Sequence, residues 1–91
     1  MTRRILKYRL DPVKRQTIDL PAGSHISHVH EQDGAVCLWV IRPAGLLLTH
    51  ERQVTCLSTG EPVPADAGRY IGTAHVHGGR TVVHVFLQEE K

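Results

Sequence analysis

Ninety-one residues make one domain, long enough for a single hydrophobic core and too short for a second. The chain is 41% hydrophobic and 22% charged, an ordinary globular composition that excludes wholesale disorder. Eleven Lys and Arg against nine Asp and Glu leave a formal +2, too mild by itself to imply a nucleic-acid partner, so no specific nucleic-acid binding is expected.

The basic residues are unevenly spread, with Arg3, Arg4, Lys7, Arg9, Lys14 and Arg15 all near the N-terminus. A basic edge or a solvated strand face accounts for them. The basic start runs into Tyr8, Arg9 and Asp11 rather than an apolar signal-peptide core, and no run of 18 or more apolar residues follows. The expectation is a cytoplasmic protein with no membrane partner.

Leu6, Tyr8 and Leu10 alternate with Lys7 and Arg9, the period-two pattern of a half-buried strand, until Asp11 and Pro12 break it. Gln16 to Leu20 repeats the pattern, and "PAGS" turns the chain. Next comes "SHISHVHEQ", in which His28 and His30 share one face of a strand while Val29 points to the other. Val29 is the natural core residue, so both histidines face outward, and Ile26 either joins them or is re-aimed by a bulge. "AVCLWVI", Ala35 to Ile41, is apolar at both parities and predicts a central strand entered through a turn at Asp33 and Gly34.

Three leucines at 46, 47 and 48 follow, and then strand-like stretches over Arg52 to Leu57, Tyr70 to His77 and Thr81 to Leu87. The twelve residues Ser58 to Arg69, with two Pro and two Gly, form the longest piece without a pattern, and loops of that length are often functional. No window carries a helical stripe. The expected fold is all-β: a small single-domain antiparallel sandwich or partly open barrel of six to seven strands spanning residues 1–91.

Few residues point to chemistry. The pairs His28/His30 and His75/His77 on neighbouring strands could supply four imidazoles, and Glu31 resembles part of a cupin-like metal site. The spaced second motif of such sites is missing, so surface histidines are expected, with no metal and no cofactor. Cys37 and Cys56 form no CxxC and sit among apolar residues, which predicts reduced thiols without a nucleophile's depressed pKa. No GxSxG, P-loop, GxGxxG or HExxH is present, so nothing calls for an enzyme and no catalytic residue is assigned. Trp39, Phe86 and His84 lie in strands apolar at both parities and are expected in the core, His84 with its ring hydrogen-bonded.

"ILKYRL", "QTIDLPAG", "VCLWV", "STGEPVP", "RYIGT" and "VVHVF" occur in an order that resembles a family of small, uncharacterised proteins carried mainly by bacteriophages and prophages. Lys7, Tyr8, Leu20, Pro21, Gly23, Cys37, Leu38, Trp39, Thr59, Gly60, Pro62, Tyr70, Gly72, Thr73, His84 and Phe86 occupy the motif positions. Ser58 and Glu61 depart from it, standing where members tend to carry Gly and His. The resemblance implies a phage or prophage accessory protein in the cytoplasm of a bacterial host, and an anti-defence role by association.

The expected function is non-enzymatic capture of a small phosphorylated or nucleotide signal, or of a host factor, by a homo-oligomer, a dimer being the commonest closed form. Arg52, Arg69 and Arg80 offer forked donors for phosphate. Tyr70 offers a stacking surface, and Thr59, Gly60 and Thr73 offer close approach to backbone or hydroxyl groups. The alternative is a protein-binding inhibitor or virion accessory protein that docks through the "GLLL" segment.

Overall fold

The computed structural model describes residues 2–45 and 48–89. Seven strands run in chain order: β1 Arg4–Arg9, β2 Arg15–Pro21, β3 His25–Gln32, β4 Ala35–Arg42, β5 Thr49–Ser58, β6 Arg69–Val76 and β7 Thr81–Leu87. They form a three-stranded sheet, β1-β4-β3, and a four-stranded sheet, β2-β5-β7-β6, with every pairing antiparallel. The two sheets do not close into a barrel, so of the two expected architectures the fold is the sandwich. Among the described residues there is no helix, and hence none long and apolar enough to cross a membrane.

Alternation decides which side chains meet between the sheets. Leu6 and Tyr8 of β1 pair with Val40 and Leu38 of β4, and Ile26 and Val29 of β3 pair with the same two residues from the other side. Leu38 and Val40 are completely buried, as β4's central place requires. The opposing sheet supplies Leu20, Val54, Ala74, Val85 and Leu87, all at zero exposure. Burying a side chain of Leu or Val size contributes about 1.5–3 kcal/mol, so these facing rows hold the layers together.

The connections follow local chemistry. Asp33 and Gly34 both take positive φ, 54° and 84°, the geometry of the two-residue hairpin that joins β3 to β4 with Gln32 opposite Ala35. Between β1 and β2 the Gln16 side chain clamps the turn reciprocally. The Asp11 N–H donates to Gln16 Oε1 at 3.0 Å, and Gln16 Nε2 donates to the Asp11 carbonyl at 2.9 Å. Pro21 closes β2, an edge strand, where a missing N–H costs no ladder bond.

Two irregularities set side-chain direction. A bulge between Ile26 and His28 leaves Ser27 unpaired, which turns Ile26 inward and keeps His28 outward. A second lies between Tyr70 and Gly72, where β6 packs on β3. A Cβ at Gly72 would sit 2.7 Å from Val29 Cβ and Cγ2, so glycine lets the two sheets approach there.

Three expectations about the core are corrected. Trp39 pairs with Lys7 and His28 and lies half-buried on the outer face of the three-stranded sheet, because Leu38 and Val40 take the inward parity of β4. Phe86 and His84 are likewise half-buried, on the outer face of the other sheet, because Val85 and Leu87 take the inward parity of β7. Apolar residues at both parities mark a strand covered on both sides, and side chains and a loop provide the second cover here. Of the three leucines at 46–48, the first two lie outside the described residues, and Leu48 is 78% exposed.

Candidate functional site

At one end of the sandwich the sheets splay around a cavity of about 420 Å3. Four connections meet there: the β1–β2 turn, the β3–β4 hairpin, the start of the β5–β6 loop and the β6–β7 turn. Val36, Val83 and Cys56, which pack against the core, line it with Val76, while Lys14, Glu61 and His77 stand among the residues of its mouth. A concave apolar space with a few polar groups at its rim is the usual form of a small-molecule site.

The lining carries an ion pair. Lys14 Nζ lies 2.7 Å from Glu61 Oε2, tying the β1–β2 turn to the β5–β6 loop, and both residues belong to the cavity lining. The same carboxylate accepts the Ser58 N–H at 2.8 Å, while Glu61 N–H donates to the Ser58 carbonyl at 3.1 Å. This turn is possible because Gly60 adopts φ 94° with open space around it. The Lys14 ammonium and the Ser58 N–H hold the Glu61 carboxyl below the usual carboxylate range. Burial pushes the Cys56 thiol up to about 11, so it stays protonated at neutral pH and is a poor nucleophile.

The β5–β6 loop must carry the chain from the end of β5, past β7, to β6. It does so across the outer face of the four-stranded sheet, pinned at both ends. Thr59 Oγ1 meets His84 Nε2 at 2.8 Å. Farther along, Arg15 grips Asp66 through Nη2 at 2.6 Å and Nη1 at 3.1 Å, and Gln88 Nε2 donates to the Asp66 carbonyl at 2.7 Å. The Arg15 guanidinium lowers the Asp66 pKa. Alternation aims Thr55 and Leu57 away from the core, yet they are 0% and 3% exposed because the loop covers them. Thr55 Oγ1 is buried there with no hydrogen-bond partner among the described residues.

Of the residues proposed from sequence, the fold brings three together. Tyr70 OH lies 2.5 Å from Thr73 Oγ1, Thr73 Oγ1 lies 3.1 Å from His84 Nδ1, and Thr59 completes the chain on the other ring nitrogen. Gly60 stands next to this network. Tyr70 is 53% exposed, with its ring edge-on to Phe86 at 5.6 Å. The three arginines go elsewhere. Arg52, 7% exposed, donates from Nε to the Gln88 carbonyl at 3.0 Å. Arg69 lies 3.7 Å from Glu89, and Arg80 sits in the β6–β7 turn at the opposite end of β6 from Arg69. Sequence reading did not single out Val36, Val83, Lys14 or Glu61 as ligand-facing, and its one signal for the cavity was the long loop from Ser58.

Among the described residues no three His, Cys, Asp or Glu side chains are placed to hold a metal ion. His28 and His30 are neighbours, with ring centroids 5.5 Å apart, but no third ligand joins them. Cys37 and Cys56 are both free thiols.

No curated protein and no solved structure matches the chain. A family model does match over residues 1–91, and the chain belongs to that family, described as a domain of unknown function, DUF7352.

Proposed function

We propose that this protein is a non-enzymatic binding module whose ligand is a small amphipathic anion, such as a phosphorylated metabolite or nucleotide. The ligand's apolar or aromatic body enters the end cavity and its anionic group competes with Glu61 for Lys14. The observation that carries this reading is the cavity of about 420 Å3 with Val36, Val83 and Cys56 in its wall and the Lys14–Glu61 ion pair in its lining. Its volume falls within the range of roughly 300–1,000 Å3 usual for small-molecule pockets. A thiol that burial keeps protonated is a poor nucleophile, which supports binding over catalysis. The phage or prophage setting and an anti-defence role are part of the proposal, and they rest on the resemblance of the sequence motifs.

Thermal denaturation with inorganic phosphate, phenyl phosphate and adenosine monophosphate tests it. The expected result is a raised melting temperature with the two larger ligands, none with phosphate alone, and loss of the effect in Val83→Trp, which fills the cavity. A Lys14→Gln variant should weaken binding and leave the fold intact, since its side chain is 60% exposed. If neither larger ligand shifts the melting temperature at millimolar concentration, or if Val83→Trp leaves the shifts unchanged, the cavity is not the site.

A further inference from the structure

The outer face of the three-stranded sheet is unlike the rest of the surface. Register places three cross-strand rows on it: Ile5, Ile41 and His25; Lys7, Trp39 and His28; Arg9, Cys37 and His30. None of these residues is a carboxylate. Acidic residues lie elsewhere, Asp19 and Glu51 facing each other as a cross-strand pair on the opposite sheet. A formal net charge of only +2 therefore hides a face that is wholly cationic and neutral.

Trp39, the chain's one tryptophan, occupies the centre of that face. Its ring centroid is 6.0 Å from His28. Lys7 Nζ reaches diagonally across β4 to Gln32 Oε1 at 2.6 Å, a neutral partner, and this bridge roofs Cys37, which is 2% exposed. Among the described residues neither Lys7 nor Arg9 is in an ion pair. Both are exposed on β1, so their charge is available to a ligand.

We infer that this face binds single-stranded nucleic acid without sequence preference, with bases stacking on Trp39 and His28 and phosphates held by Lys7 and Arg9. Every base presents a π-face, so an aromatic platform beside cations suits an unpaired strand whatever its sequence. A duplex hides its base faces. A second copy of the chain would set like charges opposite one another. The inference does not depend on the end cavity being a ligand site, although Arg9 and the neighbouring Ala35 belong to both this face and the cavity lining.

The test is fluorescence anisotropy with labelled oligothymidylate and oligouridylate of about 15 nucleotides, a length chosen to exceed one small binding site, with Trp39 emission followed in parallel. Binding should quench that emission. The logarithm of affinity should fall against the logarithm of salt with a slope near −1.4, about −0.7 for each of two neutralised phosphates. Lys7→Gln with Arg9→Gln should keep the wild-type melting temperature, weaken binding at least tenfold and flatten the slope. Trp39→Phe should bind several-fold more weakly with the slope unchanged, since stacking and charge are separate. The idea is overturned by no quenching at about 100 μM protein and about 50 mM salt, conditions that favour non-specific binding. Equal affinity for heparin or for a duplex would equally overturn it. So would a dimer broken by the Lys7/Arg9 double variant, which would give the face to a second copy.

Discussion

Thr55→Val should make this protein more stable, although it deletes a polar group and adds none. Thr55 lies on β5 under the β5–β6 loop, at zero exposure, and its hydroxyl has no partner among the described residues. Leaving such a group desolvated costs about 1–3 kcal/mol. Valine has the same shape, keeps the β-branch that suits a strand, and removes the penalty. The gain should be about 1–2 kcal/mol, which for a domain of this size raises the melting temperature by about 4–8 °C per kcal/mol. Thr55→Ser is the contrasting perturbation. It keeps the orphaned hydroxyl, loses a buried methyl, and should destabilise by about 1 kcal/mol. Calorimetry, supported by urea titration with an unchanged m-value, measures both. A valine variant less stable than wild type refutes the reasoning, because the hydroxyl must then have a bond worth more than its burial costs.

Four further outcomes are expected. Leu38→Ala, from a fully buried position, should cost about 2–5 kcal/mol, while Trp39→Ala, on the outer face, should cost roughly half as much; urea denaturation of the pair tests the facing of β4. Gly72→Ala should destabilise through its clash with Val29, and adding Val29→Ala to it should recover part of the loss, a coupling that a double-mutant cycle reads directly. Glu61 and Asp66 have depressed pKa values in the folded protein, so the stability they contribute is present above the ordinary carboxylate range and is lost as pH falls through their lowered values. Protection of the Ser58 amide from hydrogen exchange should drop there, and Glu61→Gln should remove most of that pH dependence. A homodimer is expected by light scattering, with Leu48→Asp shifting it to monomer, since covering a leucine that is 78% exposed removes apolar surface from water.

Strand positions and turns were legible in the chain because they depend on neighbours. Alternation over residues 6–10, the Asp33–Gly34 pair and the Gly-rich turn before Thr81 each carry their own steric or hydrophobic reason within a few residues. The outward facing of His28 and His30 came from the same period-two logic, with the bulge at Ser27 resolving where Ile26 goes. Which side of an apolar strand is the core did not depend on neighbours. "AVCLWVI" and "TVVHVFL" offer apolar residues at both parities, so only the sheet-to-sheet packing could choose Leu38 over Trp39 and Val85 over Phe86. The candidate sites were further from reach. Lys14 and Glu61 stand 47 positions apart in the chain and line one cavity, and Trp39 gathers Lys7 and His28 from two different strands. Such meetings are set by register and by a loop folded over a sheet, and long-range pairing leaves no local pattern in a sequence.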